Sequence, residues 1–272
     1  LHQGYNGKHN LPQESIFTHN GQLQRKEELA AKVMFPVDSI ADVDSRPIAE
    51  YMMQMRRLVN DPWVATQWVM QALLEIDGAA SFTYSDGENL IAGRDPQGYR
   101  PLAFGRIKGS WVVVSETGFF NEARGEFGET NVSLEGLLAP AEMLLIPANG
   151  NPERRILLNT TIIPERPCEF EDVYFKDEIS LDNAGRNSAR SRREKEGVLI
   201  AQRYRDRLTL ADFISPSPNS GICYAQGMAR EDGTPPYKSA FRKPLVGRKR
   251  RNFLSNKSDK AHPFVVDTSS VE

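Results

Sequence analysis

The sequence predicts a layered α+β domain with mostly antiparallel sheets, followed by part of an α/β domain with a parallel sheet. Two helix-like segments precede a run of short apolar and β-branched segments separated by Gly, Asn and Pro turns. That order is typical of helices packed beside an antiparallel meander. Beyond residue 185, a charged helical segment, an apolar run, a Pro/Ser/Gly loop and another helix follow, which is how a βαβ unit begins.

The first helix is predicted over residues 44–59. Asp44 or Ser45 can cap it, and Pro47 suits its first turn. Apolar residues recur at helical spacing, namely Ile48, Tyr51, Met52, Met55 and Leu58. A second helix is predicted after Pro62, ending before Gly78.

The strands are predicted in six segments: ASFTYS, NLIAG, PLAFGRI, SWVVVSE, AEMLLIPA and RRILLNTTII. We place the first domain at 1–163, a proline-punctuated junction at 164–185 and the second domain at 186–272. A helix is predicted over 186–207, and a last strand is predicted at PFVVD, before the chain stops.

Composition excludes several classes of protein. The 272 residues are 39% hydrophobic and 26% charged, with a net charge of −2, which argues against whole-surface attraction to nucleic acid or to an anionic membrane. No apolar stretch approaches the 18 or so residues of a membrane helix, and LHQGYNGKHN is not a secretory signal. Two cysteines fit a reduced, cytoplasmic protein.

The pair Asn20-Gly21 allows two interpretations. Asn-Gly is a strong hairpin-turn signal because both residues tolerate positive φ. The same pair can form an oxyanion hole, since glycine lets a substrate approach its N–H and the asparagine amide adds a donor. The most specific motif in the chain is RDPQGYRPL, at residues 94–102, between two predicted strands. We expect Arg94, Asp95 and Arg100 to brace this hairpin through internal ion pairs.

Four segments together resemble the N-terminal-nucleophile (class II) glutamine amidotransferase domain: FTHNGQL, DVDS, RDPQGYRPL and VVVSET. CEFEDVYFKDEISLD resembles the signature that joins this domain to a type I phosphoribosyltransferase domain in the amidophosphoribosyltransferase family. SPSPNSGICYAQGMARE, YKSAF, LVGR and PFVVD then follow that family in order. The resemblance therefore covers nearly the whole chain, and it implies αββα layering for the first domain.

The resemblance implies a glycosyltransferase of purine biosynthesis. Glutamine would supply ammonia that converts phosphoribosyl pyrophosphate to 5-phosphoribosylamine, the first step of de novo purine synthesis. Asn20 and Gly21 would form the oxyanion hole, and Asp44 would bind the α-ammonium group of glutamine. A simple helix cap is the other interpretation of Asp44. The family also implies a homodimer or homotetramer and purine nucleotides as possible ligands.

For the second half, the resemblance implies a phosphoribosyl pyrophosphate site with Mg²⁺. Its substrate-binding residues would be Ser220, Arg248, Asp267, Thr268 and Ser269, and its metal ligands Ser220, Asp267 and Thr268. Some family members hold an iron–sulfur cluster through a cysteine near the junction. With only Cys168 and Cys223 in the sequence, we expect a buried thiol at Cys168 instead of a cluster.

The sequence also departs from the family pattern. It begins at Leu1, which has no nucleophilic side chain, so the N-terminal cysteine and the carboxylate-binding arginine of the family are absent from the 272 residues. Thr268 stands where a second aspartate belongs, and Arg46 replaces a glutamate. We expect a diverged relative, truncated at both ends. An inactive relative that binds nucleotides or subunits, and another class II glutamine amidotransferase, remain alternatives.

Overall fold

The computed structural model describes residues 3–7, 15–33, 44–182, 185–242 and 265–267. The chain divides into two compact units. Unit 1 comprises Leu1–Glu171 and Ser180–Arg186, and unit 2 comprises Asp172–Ile179 and Asn187–Glu272.

Unit 1 contains four helices and nine strands within its described residues. The helices are α1 (Lys26–Ala31), α2 (Ser45–Leu58), α3 (Pro62–Glu75) and α4 (Gly118–Phe127). The strands are β1 (Gln3–Gly7), β2 (Ser15–Gln22), β3 (Ala79–Ser85), β4 (Asn89–Arg94), β5 (Ala103–Ile107), β6 (Ser110–Val114), β7 (Val132–Leu137), β8 (Glu142–Pro147) and β9 (Glu153–Ile156). A 3₁₀ turn, Glu129–Asn131, precedes β7.

Two sheets form the middle of unit 1. One has six strands in the order β1-β2-β3-β4-β8-β9, the other has three in the order β6-β5-β7, and every strand pair is antiparallel. The predicted antiparallel α+β domain is therefore confirmed.

Alternation of buried side chains along the strands produces the αββα layering. On β4, Ile91 joins the core shared with α2 and α3, whereas its neighbour Ala92 joins a second core with Phe104 of β5. Ala103, next to Phe104, packs instead with Phe120 of α4. Since successive strand residues face opposite sides, the layers run from α2 and α3, through the two sheets, to α4.

The two predicted helices, α2 and α3, are both present. In α3, Pro62 occupies the first turn, and the Asp61 side chain accepts the Trp63 N–H at 2.8 Å, a standard cap. Ile48 and Met52 of α2 are fully buried against the six-stranded sheet.

Five elements of unit 1 lie outside the segments predicted from the sequence, namely β1, β2, α1, α4 and β7. Helix α4 was missed because Gly118 and Gly125 lower its helical propensity, and β7 was missed because Glu135 and Gly136 interrupt its apolar pattern. The strand predicted over residues 154–163 ends at Ile156 in the structure.

Unit 2 is mainly helical in its described residues. A π-helical turn, Glu171–Phe175, precedes α5 (Ala189–Arg203), α6 (Arg205–Leu208) and α7 (Gly221–Met228). The helix predicted over 186–207 is thus broken at Tyr204.

Strand pairing in unit 2 is sparse within the described ranges. The short strands β10 (Phe241–Arg242) and β11 (Val265–Val266) pair antiparallel, and one parallel bridge joins Ile214 to Tyr237. The parallel sheet of the second domain therefore remains a prediction. No helix among the described residues of either unit is long and apolar enough to span a bilayer.

Candidate functional site

The Asn20-Gly21 pair lies inside β2, so the interpretation of the pair as a hairpin turn is wrong. Asn20 is opposite Ser81 of β3, and Gly21 is opposite Ala80. β2 continues to Gln22 before the chain turns toward α1. The pair therefore sits at the end of a central strand, where backbone groups are held by the sheet.

The backbone N–H of Gly21 points away from β3. Its partner Ala80 directs both backbone groups at Asp95: the N–H donates to Oδ2 at 3.3 Å, and the C=O accepts the Asp95 N–H at 2.9 Å. The N–H and C=O of a strand residue point to the same edge of the strand. Because those of Ala80 point toward Asp95 and not toward β2, Gly21 and Ala80 form a non-hydrogen-bonded pair. On the opposite edge, the described pairing with β1 ends at Gln3–His19. The Gly21 N–H lies past that point.

Gly21 also allows a close approach of β2 to β3. A Cβ atom at this position would lie 2.0 Å from the carbonyl oxygen of Ala79 and 2.7 Å from Nε2 of His19. Contacts this short to backbone atoms force the strands apart. Only glycine fits here without moving the strands.

Asp44 occupies the N-cap position of α2, as predicted, but its side chain does not cap the helix. Its Oδ2 accepts the backbone N–H of Leu23 at 3.1 Å, just after β2. The carboxylate, whose side chain is 23% exposed, is therefore fixed beside the strand that carries Gly21.

His19 connects these parts; from the sequence it was part of the FTHNGQL segment but was not among the predicted site residues. The ring is buried, with 4% exposure, and its Nδ1 lies 3.1 Å from Oγ of Ser45 and 3.9 Å from Oδ1 of Asp44. Its Nε2 lies 3.2 Å from the carbonyl oxygen of Ala79. The sequence indicated site residues in both FTHNGQL and DVDS, but only the fold shows that the His19 ring lies between the two segments.

The hairpin at residues 94–102 is braced mainly by hydrogen bonds to the backbone. Arg94 is buried and donates three: Nε to the carbonyl oxygen of Arg100 (2.9 Å), Nη1 to Leu138 (2.8 Å) and Nη2 to Gly98 (2.8 Å). Arg100 forms an ion pair as expected, but its partner, Glu171, lies outside the hairpin. The bracing role is confirmed, with hydrogen bonds in place of an ion pair at Arg94.

Asp95 holds the same hairpin against β3. The carboxylate is fully buried, and its Oδ1 accepts the N–H groups of Gln97 and Tyr99, both at 3.1 Å. Its Oδ2 accepts from Ala80, the partner of Gly21. The hairpin is therefore bonded directly to the strand behind the Asn20-Gly21 pair.

A pH effect follows from this burial. Burial raises the pKa of Asp95 to about 6, and the Tyr99 N–H and the Arg94 charge oppose the rise without cancelling it. Because this folded pKa exceeds the unfolded one, the stabilising contribution of Asp95 is complete below about pH 4. It is lost as pH rises through about 6, by up to about 3 kcal/mol.

Urea unfolding of the wild-type chain and of Asp95→Asn between pH 4 and 7 tests this effect. The free energy of unfolding should fall with rising pH more steeply in the wild type than in the variant. Parallel curves would show that Asp95 does not titrate in this range. Asp212→Asn, an exposed carboxylate, serves as the matched control and should follow the wild type.

The residues proposed for phosphoribosyl pyrophosphate are described only in part. Ser220 is the half-buried N-cap residue of α7, and its hydroxyl makes no cap hydrogen bond. Asp267 follows β11, and its N–H donates to the carbonyl oxygen of Ala240 at 2.8 Å. The Ala240 N–H donates to Oγ of Ser215 at 3.0 Å, which links Asp267 to the loop before α7. Arg248, Thr268 and Ser269 lie outside the described residues.

The two cysteines differ in burial. Cys168 is half-buried, not buried as expected, and its N–H donates to the carbonyl oxygen of Tyr99. Cys223 is buried and its thiol donates to Oε2 of Glu178 at 3.2 Å. Burial raises the pKa of Cys223 to about 11, which keeps it a thiol. In the described ranges, no three His, Cys, Asp or Glu side chains are arranged to hold a metal ion.

Comparison with known proteins gives a consistent set of relatives. No family model matches the chain. The amidophosphoribosyltransferase of Archaeoglobus fulgidus is 27% identical over 237 residues, which are 85% of this chain and 47% of the relative. The Mycobacterium tuberculosis protein of the same name is 33% identical over 182 residues, 67% of this chain and 32% of the relative. The chain thus spans half or less of the length of these relatives.

Solved structures show the same fold. A glutamine phosphoribosylpyrophosphate amidotransferase from B. subtilis, complexed with ADP and GMP, covers 99% of this chain with a TM-score of 0.71 at 21% identity. A structure described as the allosteric regulatory enzyme of purine biosynthesis covers 99% with a TM-score of 0.73 at 22% identity. This chain covers 55% and 54% of those two proteins. In sequence the chain is similar to the amidophosphoribosyltransferases, and it shares the fold of these two solved structures.

Proposed function

We propose that this chain takes part in the glutamine-dependent conversion of phosphoribosyl pyrophosphate to 5-phosphoribosylamine, the first step of de novo purine synthesis. The observation that carries the proposal is the arrangement at the end of β2. There the Gly21 N–H points past the described part of β1, and the Asp44 carboxylate is fixed beside the same strand. The named relatives support the assignment of this arrangement to glutamine.

In the proposed glutaminase site, Asp44 binds the α-ammonium group of glutamine. The Gly21 N–H and the Asn20 amide receive the carboxamide oxygen as it becomes an oxyanion, and each such donor typically lowers the barrier by about 3 kcal/mol. These residues bind and orient glutamine and stabilise negative charge. The attacking thiolate of the family mechanism is not supplied by them.

In the proposed second site, Ser220 and Asp267 hold phosphoribosyl pyrophosphate together with Mg²⁺. Their hydroxyl and carboxylate oxygens are the hard donors that Mg²⁺ prefers, and the Ser220 hydroxyl is not used to cap α7. When bound, Mg²⁺ would neutralise charge on the pyrophosphate group. Thr268 and Ser269, with Arg248, would contact the ribose and phosphates of the same substrate.

Further properties of the family belong to the same proposal. ADP and GMP are candidate ligands because the B. subtilis structure is a complex with both. A homodimer or homotetramer in the cytoplasm is the setting we propose. An inactive relative that binds nucleotides without glutamine remains the rival, and titration with each ligand separates the two.

The deciding experiment is isothermal titration of the chain with L-glutamine. We expect wild-type binding, and Asp44→Asn should weaken it at least about tenfold, since a hydrogen bond to a charged group contributes roughly 1.5–3 kcal/mol. N-acetylglutamine, which lacks the ammonium group, should bind as weakly to the wild type as glutamine does to the variant. Asp212→Asn is the matched control with unchanged affinity. Binding of GMP without any binding of glutamine would favour the inactive relative.

A further inference from the structure

We propose that His19 is a positioning residue that sets the two halves of the glutamine site, Gly21 and Asp44, in register with each other. The inference rests on the proposed function and deepens it. His19 would not touch glutamine. It would act through Gly21 on one side and through Ser45 and Asp44 on the other.

The ring lies directly against Gly21. His19 and Gly21 are two residues apart on β2 and so share one face of the strand. An atom added to the Cα of Gly21 would lie 2.7 Å from Nε2 of His19. The same nitrogen bonds the carbonyl oxygen of Ala79, at the start of β3. The ring therefore fixes how closely the end of β2 approaches β3, and with it the position of the Gly21 N–H.

The other nitrogen reaches the start of α2. Nδ1 bonds Oγ of Ser45, which is fully buried, at 3.1 Å. Ser45 is the first residue of α2 and directly follows Asp44. Together with the Leu23 N–H on Asp44, this bond fixes the carboxylate relative to the strand.

The hydrogen bonds also determine the form of the ring. The Ala79 carbonyl oxygen only accepts, so Nε2 carries the proton and Nδ1 accepts from the Ser45 hydroxyl. Burial lowers the pKa of His19, and the nearby Arg100 lowers it further, against the Ala79 carbonyl and Asp44, which raise it. A neutral ring leaves the charge of Asp44 uncompensated by His19. The carboxylate can then attract the ammonium group of glutamine.

Two measurements on the full chain test this role. ¹⁵N-labelled histidine spectra should show His19 as the neutral tautomer with its proton on Nε2 from pH 6 to 8. In glutamine titrations, the Kd of His19→Asn should stay within about threefold of the wild-type value, because asparagine keeps an acceptor near Ser45. His19→Leu, which keeps neither hydrogen bond, should bind glutamine at least about tenfold more weakly than the wild type. Ser45→Ala removes only the hydroxyl and should weaken binding similarly, so it carries the test if His19→Leu does not fold.

The outcomes separate this inference from the proposed function. A wild-type chain that binds no glutamine overturns both. Wild-type binding with equal affinity in folded His19→Leu or Ser45→Ala leaves the proposed function standing and overturns the role of His19. A proton on Nδ1, or a charged ring at pH 7, also overturns it. Rescue by His19→Asn is the result that a merely space-filling histidine would not give.

Discussion

Gly227→Ala is expected to lower the free energy of unfolding of the chain by at least about 2 kcal/mol. A Cβ at Gly227 of α7 would lie 2.0 Å from the carbonyl oxygen of Glu194 in α5 and 2.8 Å from its carbonyl carbon. Backbone atoms cannot swing away, so the helices must separate, and overpacking of this kind costs roughly 1–3 kcal/mol or more. The loss outweighs the roughly 1 kcal/mol that alanine gains over glycine inside a helix.

Urea denaturation measures this loss, and hydrogen exchange of α5 and α7 locates it. Gly197→Ala should behave similarly, because a Cβ there would lie 2.2 Å from the carbonyl oxygen of Tyr224. Gly125→Ala is the matched control: Gly125 lies in α4 with no atom within 4 Å of an added Cβ. Its free energy of unfolding should rise by about 0.5–1 kcal/mol. A Gly227→Ala variant as stable as Gly125→Ala would show that the two helices tolerate separation.

The sequence predicted the elements whose signals are local. Pro62 after Asp61 and the apolar spacing of α2 are readable within one or two turns of helix, and both helices are found. The alternation of Ile91 and Ala92 likewise follows from a period of two. The α+β class could be predicted because these local patterns determine which faces must be buried, whereas the second helical layer, α4, was not predicted from them.

Features that depend on distant parts of the chain could not be predicted from sequence patterns. Asn20-Gly21 has the composition of a turn, and pairing with β3 made it part of a strand. His19 and Ser45 meet across 26 residues, and Arg94 meets Leu138 across 44. No periodicity records such pairs, so the bonds of Arg94 to carbonyl oxygens and the contacts of His19 with Ser45 and Ala79 needed the fold.

Arg94→Met is expected to lower the free energy of unfolding by about 3 kcal/mol or more. Methionine has a similar length but no donors, so the carbonyl oxygens of Arg100, Leu138 and Gly98 would lose their partner. Leaving a buried polar group unpaired costs roughly 1–3 kcal/mol each, with less than full additivity. The site is only 3% exposed, so water cannot readily replace the guanidinium.

Arg106→Met is the matched control, because Arg106 is an exposed arginine of β5 that stacks on Trp111. Arg106→Met should lower the free energy of unfolding by less than about 1 kcal/mol. Glutamine titration of both variants tests the link to the site. The Arg94 hairpin carries Asp95, and Asp95 bonds Ala80 behind Gly21. A folded Arg94→Met chain should therefore bind glutamine more weakly, while Arg106→Met should not. Equal affinities would mean that the hairpin stabilises unit 1 without shaping the glutamine site.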